Sequence, residues 1–180
     1  MSKLKILDFD TENRPGFYWY DGQTTDMLMC VSWAFLDVEA QPRSLLLRYS
    51  KVDGLYMPDL APFINDLENA DIVTGHNIRR HDIPLLNAHR IRTGRPPIAW
   101  PHIIDTLDRG LWQGGTKGLS RSQANTADLL GLNQDKMTVH IPVWEQAAAG
   151  NPAALQVIRE RCESDVVMHM ELYRKLVGIV

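Results

Sequence analysis

The sequence lacks several features that would point to particular classes of protein. It has two cysteines, Cys30 and Cys162, and neither belongs to a C-x-x-C pair, so zinc-finger and thioredoxin-type sites gain no support. No apolar run approaches the roughly 20 residues that a membrane-spanning helix needs. The formal net charge is −3, which argues against a protein that coats nucleic acid through bulk positive charge.

The composition otherwise predicts one globular domain. Hydrophobic residues make up 44% and charged residues 23% of the 180 residues, and this length can bury a substantial core. There is no internal repeat or low-complexity tract, so we expect a single domain over residues 1–180. We expect both cysteines to be reduced and half-buried. The N-terminus lacks a signal-peptide pattern, which predicts a cytoplasmic protein without membrane contact.

The hydrophobic pattern predicts three strands followed by an alternation of helices and strands. The predicted strands are 3–9, 27–37, 43–50, 71–77 and a fifth around Ile103, and the predicted helices are 57–70, 79–94, 120–132, 141–150 and 151 to about 177. Short links make the first three strands antiparallel neighbours, whereas strands separated by helices are expected to be parallel. The sequence therefore predicts a mixed five-stranded α/β sheet flanked by helices. Gly94, Gly131 and Gly150 are expected helix stops, and Asn151 an expected helix start.

Acidic residues recur where these elements begin and end. Asp8, Asp10 and Glu12 stand at alternate positions where the first strand ends, and an extended chain there would place their side chains on one face of the sheet. Asp82 stands near the start of a middle helix and Asp165 lies in the last helix. Clustered carboxylates are tolerable when a divalent cation is bound among them, although solvated acids at a strand end are the simpler explanation of the first group alone.

Three segments in order resemble a known family. These are FDTEN at 9–13, GHNIRRHDIPLL at 75–86 and CESDVVMHMELY at 162–173. They are similar to the three motifs of the DEDD 3′–5′ exonuclease superfamily, which has the ribonuclease H-like fold. The likeness covers nearly the whole chain and is strongest to the tyrosine branch related to the proofreading domains of family B DNA polymerases.

The resemblance implies a function and a set of ligands. The protein would hydrolyse single-stranded DNA from its 3′ end with two divalent ions, Mg²⁺ or Mn²⁺, and release nucleoside monophosphates; RNA is the alternative substrate. Asp10 would bridge both ions, and Glu12 and Asp165 would hold the ion that carries the attacking water. Asp82 would support the second ion through water. Asp8 is expected to be a neighbour of the site and not a ligand.

The sequence departs from the family at the positions of the residue expected to act on the attacking water. Arg161 stands where the family has a tyrosine that orients the attacking water, and Glu160 stands where another branch has histidine. Arg161 can pair with Asp165 at i+4, and it cannot serve as a base because its guanidinium stays protonated. It could instead take over a catalytic role by holding a substrate phosphate, or it could neutralise Asp165 and weaken metal binding. His140 is a candidate replacement base, although an ordinary surface or capping histidine is the simpler interpretation. The alternative function is a weakened exonuclease-like module that binds 3′ ends or a replication or repair partner.

Other residues are candidates for holding the nucleic acid strand. We assign Asn77, Lys117 and Arg121 to substrate contacts, where Lys and Arg would bind phosphates without reading sequence. Aromatic residues in the loop after the first strand and in the Gly-rich segment could stack on or wedge against the terminal base; they are Tyr18, Trp19, Tyr20 and Trp112. A polymerase or another replication protein is the expected protein partner.

Overall fold

The computed structural model describes residues 4–13, 28–37, 41–47, 60–108, 121–132 and 136–177. Within these residues the chain forms five strands and five helices. The strands are β1 (Ile6–Asn13), β2 (Leu28–Phe35), β3 (Arg43–Leu46), β4 (Ile72–Gly75) and β5 (His102–Asp105). The helices are α1 (Ala61–Glu68), α2 (Asp82–Arg92), α3 (Gln123–Leu129), α4 (Ile141–Ala148) and α5 (Pro152–Val177).

The strands form one mixed sheet in the order β3-β2-β1-β4-β5. β1 pairs antiparallel with β2, and β2 pairs antiparallel with β3. On the other side of β1, β4 and β5 follow as parallel neighbours. A parallel pair needs a crossover connection, which α2 supplies between β4 and β5. The mixed five-stranded sheet predicted from the sequence is confirmed.

Alternate residues of β1 separate the two sides of this sheet. Leu7 and Phe9 belong to a hydrophobic core that includes buried residues of α1 and α2. Asp8, Asp10 and Glu12 point to the opposite side, where each contacts a residue of α5. The common face predicted for the three acids is therefore confirmed, and α5 is the helix that covers it.

A second core holds α5 against the sheet and contains both cysteines. Cys30 of β2 and Cys162 of α5 lie side by side with Trp144 of α4 and Leu155 of α5. Both cysteines are free thiols and are completely buried. The expectation of half-buried thiols is wrong, because α4 and α5 together cover this part of β2.

β1 is longer than the sequence predicted. We expected the first strand to end at residue 9, but it continues to Asn13. Thr11 pairs with Val31 and Glu12 with Cys30, before the register shifts between Glu12 and Asn13. Backbone pairing with β2 thus continues through the acidic stretch, and the acids lie within the strand and not after it.

Helix ends agree with the predicted signals, while some boundaries differ. Gly94 follows α2 with a φ of 69°, a conformation that glycine adopts without strain. Gly131 and Gly150 follow α3 and α4 within two residues of their ends. α2 begins at Asp82 and not at residue 79, because residues 78–81 form turns. The start of the predicted helix 57–70 lies outside the described residues, as does the end of the predicted strand 43–50.

α5 is the longest helix and spans the acidic face of the sheet. The Asn151 side chain accepts hydrogen bonds from the backbone N–H groups of Ala153 and Ala154 at 3.0 and 3.2 Å, so the predicted helix start is confirmed. The N-terminal part of α5 packs in the second core, and the middle of the helix lies over β1. In the part of the chain that the structure describes, neither α5 nor any other helix is both long and apolar enough to cross a membrane.

Gly75 stands where β4 leaves the sheet toward the site. A Cβ atom there would lie 2.2 Å from Ile78 Cγ2 and 2.9 Å from the Phe9 carbonyl oxygen. We therefore expect Gly75→Ala to reduce the free energy of unfolding by about 1–3 kcal/mol through overpacking. Urea denaturation followed by circular dichroism measures this loss.

A double variant separates this clash from other effects of the substitution. Ile78→Ala removes the Cγ2 atom, so the variant with both changes should be less destabilised than the sum of the two single changes. Gly94→Ala serves as a control, since no atom lies within 4 Å of where its Cβ would stand. Gly94→Ala should lower the free energy of unfolding through the positive φ at residue 94 alone. Adding Ile78→Ala should therefore not change the loss caused by Gly94→Ala. Additive effects of Gly75→Ala and Ile78→Ala would contradict the steric explanation.

Candidate metal centre

Three elements bring the predicted acids together. Asp10 and Glu12 lie in the second half of β1, Asp82 is the first residue of α2, and Asp165 lies in the middle of α5. β4 pairs with β1 and leads to the start of α2, and α5 crosses the acidic face of β1. All four acids line one cleft of about 220 Å³.

Three of the acids form a tight group. Asp10, Glu12 and Asp165 each offer a carboxylate oxygen within 4.8 Å of the others. Glu12 and Asp165 are buried and Asp10 is partly accessible. Two carboxylates about 5 Å apart repel by roughly 3 kcal/mol at an effective dielectric constant of 20. The group therefore needs protonation or neighbouring positive charge.

Asp82 lies beside this group and is held by β1. Its Oδ1 atom accepts hydrogen bonds from the Thr11 backbone N–H at 3.0 Å and from the Thr11 hydroxyl. His81 Nδ1 lies 3.7 Å from the other carboxylate oxygen. The free amides at the start of α2 also favour a carboxylate at this position. Thr11, which stands between Asp10 and Glu12, thus fixes Asp82 relative to the first two acids.

Arg161 is bound within the acidic group. Its Nε atom donates a hydrogen bond to Glu12 Oε1, and its Nη2 atom lies 3.8 Å from Asp165 Oδ2. Nη1 donates to the Met137 carbonyl oxygen at 2.7 Å, and the guanidinium carbon lies 5.8 Å from the centre of the Trp144 ring. The predicted i,i+4 approach to Asp165 is present, but the carboxylate to which Arg161 donates a hydrogen bond is that of Glu12.

A lysine supplies a second positive charge. Lys136 Nζ lies 3.1 Å from Asp165 Oδ2, and 34% of the lysine side chain is exposed. The Oδ1 atom of Asp165 is buried and has no hydrogen-bond partner among the described residues. One oxygen of Asp165 is therefore paired with Lys136, while the other is left without a partner in that part of the chain.

Burial and mutual repulsion raise the pKa values of the acids on β1. The pKa of Asp10 is held well above its ordinary value by burial and then by the charges of Asp82, Glu12 and Asp165. Burial also raises the pKa of Glu12 to about 7, although Arg161 opposes this increase. For Arg161, burial acts to lower the pKa, but the neighbouring carboxylates of Glu12, Asp165 and Asp10 together outweigh it and the net shift is upward. The arginine therefore stays charged and the glutamate titrates near neutral pH.

Asp105 shapes the turn that forms one wall of the cleft. Its carboxylate accepts hydrogen bonds from the backbone N–H groups of Asn77 at 2.8 Å, Arg79 at 2.9 Å and Leu107 at 3.0 Å. Asn77, which lines the cleft, has a φ of 67°, a conformation that asparagine tolerates better than most residues. Asp105 thus holds the turn between β4 and α2 and presents Asn77 to the cleft.

Asp8 belongs to a buried polar chain and not to the acidic group. His169 of α5 is hydrogen-bonded to Asp8 through Nδ1 and to the Thr106 hydroxyl through Nε2, at 2.7 Å for the latter. The Thr106 hydroxyl lies 3.0 Å from Nδ1 of His76, a residue of the cleft wall. Burial raises the pKa of Asp8, and His169 opposes this increase. The expected position of Asp8 as a neighbour of the site agrees with these contacts.

Several predicted site residues lie away from the cleft or outside the described residues. His140 is an exposed residue at the N-terminal end of α4 and is not among the residues that line the cleft. The Arg121 side chain is exposed, while its backbone carbonyl accepts a hydrogen bond from His76 at 2.8 Å, beside the cleft. Lys117 and the aromatic candidates lie outside the described residues; the latter are Tyr18, Trp19, Tyr20 and Trp112.

Lys136 and Gln123 line the cleft although the sequence patterns did not mark them as site residues. Lys136 lines the cleft from a loop, four residues before the candidate His140, and no motif marks it. Gln123, the first residue of α3, lines the cleft and donates a hydrogen bond from Nε2 to the Asp165 backbone carbonyl at 2.7 Å. Both lie in the stretch between the second and third motifs, where spacing alone could not place them.

The donor set suits a hard divalent cation. Mg²⁺ and Mn²⁺ prefer oxygen ligands, and the group consists of three carboxylates with one unpartnered oxygen on Asp165 in the described part of the chain. Burial and then repulsion from neighbouring carboxylates raise the pKa of Asp10, and a bound cation would relieve that repulsion. Asp10, Glu12 and Asp165 can therefore hold a divalent ion.

Comparisons with known proteins agree with this fold. No protein-family model and no curated protein matches the chain. A solved structure that does match is the family B DNA polymerase from the hyperthermophilic archaeon Pyrobaculum calidifontis, with a TM-score of 0.73 and 14% sequence identity. The match covers 98% of this chain and 25% of that chain, so this chain spans about a quarter of the polymerase. At this identity the match shows the fold, which is the ribonuclease H-like fold expected from the sequence.

The raised pKa of Glu12 predicts how stability changes with pH in the absence of metal. The folded-state value is about 7 and the ordinary value is 4.5, so protonation of Glu12 favours the folded state. This contribution is complete below about pH 4.5 and is lost as the pH rises through about 7, and it amounts to about 3 kcal/mol. In EDTA, the melting temperature should therefore fall more steeply between about pH 5 and pH 8 in wild type than in Glu12→Gln.

Thermal melts of both proteins across this range measure the difference. Glu68→Gln, which changes an exposed glutamate of α1, is the control and should follow wild type. Saturating Mn²⁺ should flatten the wild-type curve at high pH, because it binds the ionised carboxylates. Parallel pH curves for wild type and Glu12→Gln in EDTA would show that Glu12 is not the titrating group.

Proposed function

We propose that the protein is a 3′–5′ exonuclease that uses two divalent ions, Mg²⁺ or Mn²⁺, to hydrolyse single-stranded DNA to nucleoside monophosphates. The observation that carries the proposal is the convergence of four acids in one cleft: Asp10, Glu12, Asp82 and Asp165. These are the positions at which three segments resemble the motifs of the DEDD superfamily. The fold shared with a family B DNA polymerase supports the same conclusion.

The chemistry explains why carboxylates are needed here. A phosphodiester is anionic, so its hydrolysis requires charge neutralisation, an activated water and stabilisation of the leaving oxygen, which bound divalent ions supply. In this proposal Asp10, Glu12 and Asp165 hold the ions. Asp82, fixed by Thr11, adds negative charge at the edge of the group. The turn held by Asp105 positions Asn77 toward the substrate.

The proposed machinery contains no histidine base. Both ring nitrogens of His76 have partners, Thr106 and the Arg121 carbonyl, so the ring is fixed as part of the cleft wall. Arg161 remains protonated and cannot accept a proton. His140 is exposed at the start of α4, and we therefore leave it out. Catalysis in this proposal depends on positioning and electrostatic stabilisation.

The substrate and partners follow from the same comparison. Single-stranded DNA is favoured because the fold is shared with a DNA polymerase, and RNA is the competing substrate. We assign Asn77, Arg121 and Lys117 to contacts with the strand, where the basic residues would bind phosphates of any sequence. A polymerase or another replication protein is the proposed protein partner, and the cytoplasm is the proposed location.

A second candidate function is a module that binds 3′ ends and cleaves them weakly or not at all. The observation that favours it is the ion pairing of Glu12 with Arg161 and of Asp165 with Lys136, since these cations occupy carboxylates that the proposed reaction uses. The family has tyrosine where this chain has Arg161. The two candidates agree on the ligand and differ in whether a phosphodiester bond is broken.

An end-labelled digest tests the choice between them. We expect a 3′ label on single-stranded DNA to be released first as a mononucleotide, and a 5′-labelled strand to shorten gradually, with Mg²⁺ or Mn²⁺ and not with EDTA. The same pair of labels on RNA measures the preference between DNA and RNA. Retention of both labels with either metal, together with binding of the strand in a gel-shift assay, would favour the binding module and contradict the nuclease.

Asp10 should be indispensable for cleavage. Asp10→Ala removes the acid at the centre of the group and should reduce the single-turnover rate by about 10³-fold or more. It should not lower the melting temperature in EDTA, because it also removes repulsion with Glu12, Asp82 and Asp165. Asp128→Ala, at an exposed aspartate of α3, should cleave like wild type. Near-wild-type hydrolysis by pure Asp10→Ala would refute the site assignment.

A further inference from the structure

We propose that Lys136 and Arg161 are built-in counter-cations that set the affinity of the cleft for divalent ions, with Lys136 competing directly for Asp165. The inference rests on the proposed metal site and concerns its regulation. It assigns a role to Arg161, which replaces the expected tyrosine, and to Lys136, which belongs to no sequence motif. Its test measures cation binding and does not depend on nuclease activity.

The contacts of Arg161 make it a fixed charge. Separate atoms of its guanidinium contact Glu12 and the Met137 carbonyl, and the group also lies over the Trp144 ring. Only 19% of the side chain is exposed. An arginine held from three directions cannot turn toward a ligand without breaking several contacts. Arg161 therefore neutralises Glu12 whether or not a cation is bound.

The contacts of Lys136 make it a displaceable charge. The ion pair that the structure gives its ammonium group is with Asp165 Oδ2 at 3.1 Å, and about a third of the side chain reaches solvent. A lysine ammonium is strongly hydrated and sits on a flexible stem, so it can exchange a carboxylate for water. A divalent ion that binds Asp165 would repel this ammonium at short range. Lys136 and the divalent ion therefore compete for one carboxylate.

The charge balance of the cleft supports this assignment. Four carboxylates and these two cations leave a formal charge of −2 when every acid is ionised; the carboxylates belong to Asp10, Glu12, Asp82 and Asp165. One of the two proposed divalent ions would be enough to neutralise that charge. The Oδ1 atom of Asp165 is buried and has no partner among the described residues. It is therefore an oxygen that a cation could still bind. Removing either internal cation should make the cleft more attractive to Mn²⁺.

Direct measurement of Mn²⁺ binding tests the proposal. We expect Lys136→Gln to bind Mn²⁺ about tenfold or more tightly than wild type by isothermal titration calorimetry, because a positive charge next to Asp165 is removed. Lys136→Arg keeps the charge and should stay within about threefold of wild type. Arg161→Gln should also bind more tightly. Arg159→Gln, at an exposed arginine of the same helix, should behave like wild type.

The outcomes distinguish this proposal from the proposed function. Equal Mn²⁺ affinity in wild type, Lys136→Gln and Lys136→Arg would overturn the counter-cation role while leaving the metal site intact. Absence of Mn²⁺ binding at millimolar concentration in every variant would overturn both. Circular dichroism of each variant accompanies the titration, because Arg161→Gln leaves the buried Glu12 without its partner and puts folding at risk. Lys136→Gln, at a partly exposed residue, decides the result on its own.

Discussion

Electrostatic repulsion among buried carboxylates is the constraint around which this part of the protein is organised. Asp10, Glu12 and Asp165 share a space in which their oxygens lie within 4.8 Å, and Asp82 stands beside them. At such distances each pair repels by roughly 3 kcal/mol at an effective dielectric constant of 20, which is a large fraction of the roughly 5–15 kcal/mol that typically stabilises a domain. The fold must hold these groups together against that repulsion.

The scaffold meets this requirement with apolar packing on both sides of the central strand. On one face of β1, Leu7 and Phe9 anchor the strand in the core formed with α1 and α2. On the other face, α5 is held by its apolar packing against β2 and α4. The acids are therefore brought together by interactions that do not depend on them. We therefore expect the fold to survive substitution of these carboxylates.

Positively charged side chains within the cleft offset part of the repulsion among the acids. Arg161 binds Glu12 and Lys136 binds Asp165, so two of the acids are neutralised by the chain itself. Asp10 has neighbours of its own sign, and its raised pKa reflects them together with its burial. The same arrangement supports two views of the site, as a nuclease centre tuned by internal cations or as a weakened one. The difference lies in whether a divalent ion can displace Lys136.

Periodic patterns predicted the sheet and the common face of the first three acids, whereas the gathering of Asp82 and Asp165 with them was implied by the resemblance of three segments to a known family. Alternation along β1 placed Asp8, Asp10 and Glu12 on one face, and the order of strands and helices fixed the topology. The strand boundary at Asn13 and the burial of the cysteines could not be predicted, since each depends on pairing or covering by segments distant in the chain. Lys136 was missed for the same reason: its ion pair with Asp165 is a tertiary contact without a local signal. The assignment of Arg161 to Asp165 missed Glu12, which lies 149 residues away.

The most direct test of the central claim is anomalous X-ray scattering from crystals of the wild-type protein grown with saturating Mn²⁺. The account predicts an anomalous peak within about 2.0–2.3 Å of a carboxylate oxygen of Asp10, with Lys136 displaced from Asp165. Crystals that show no anomalous peak in the cleft, with Lys136 still paired to Asp165 at that concentration, would contradict the claim that the acids gather to bind a divalent cation.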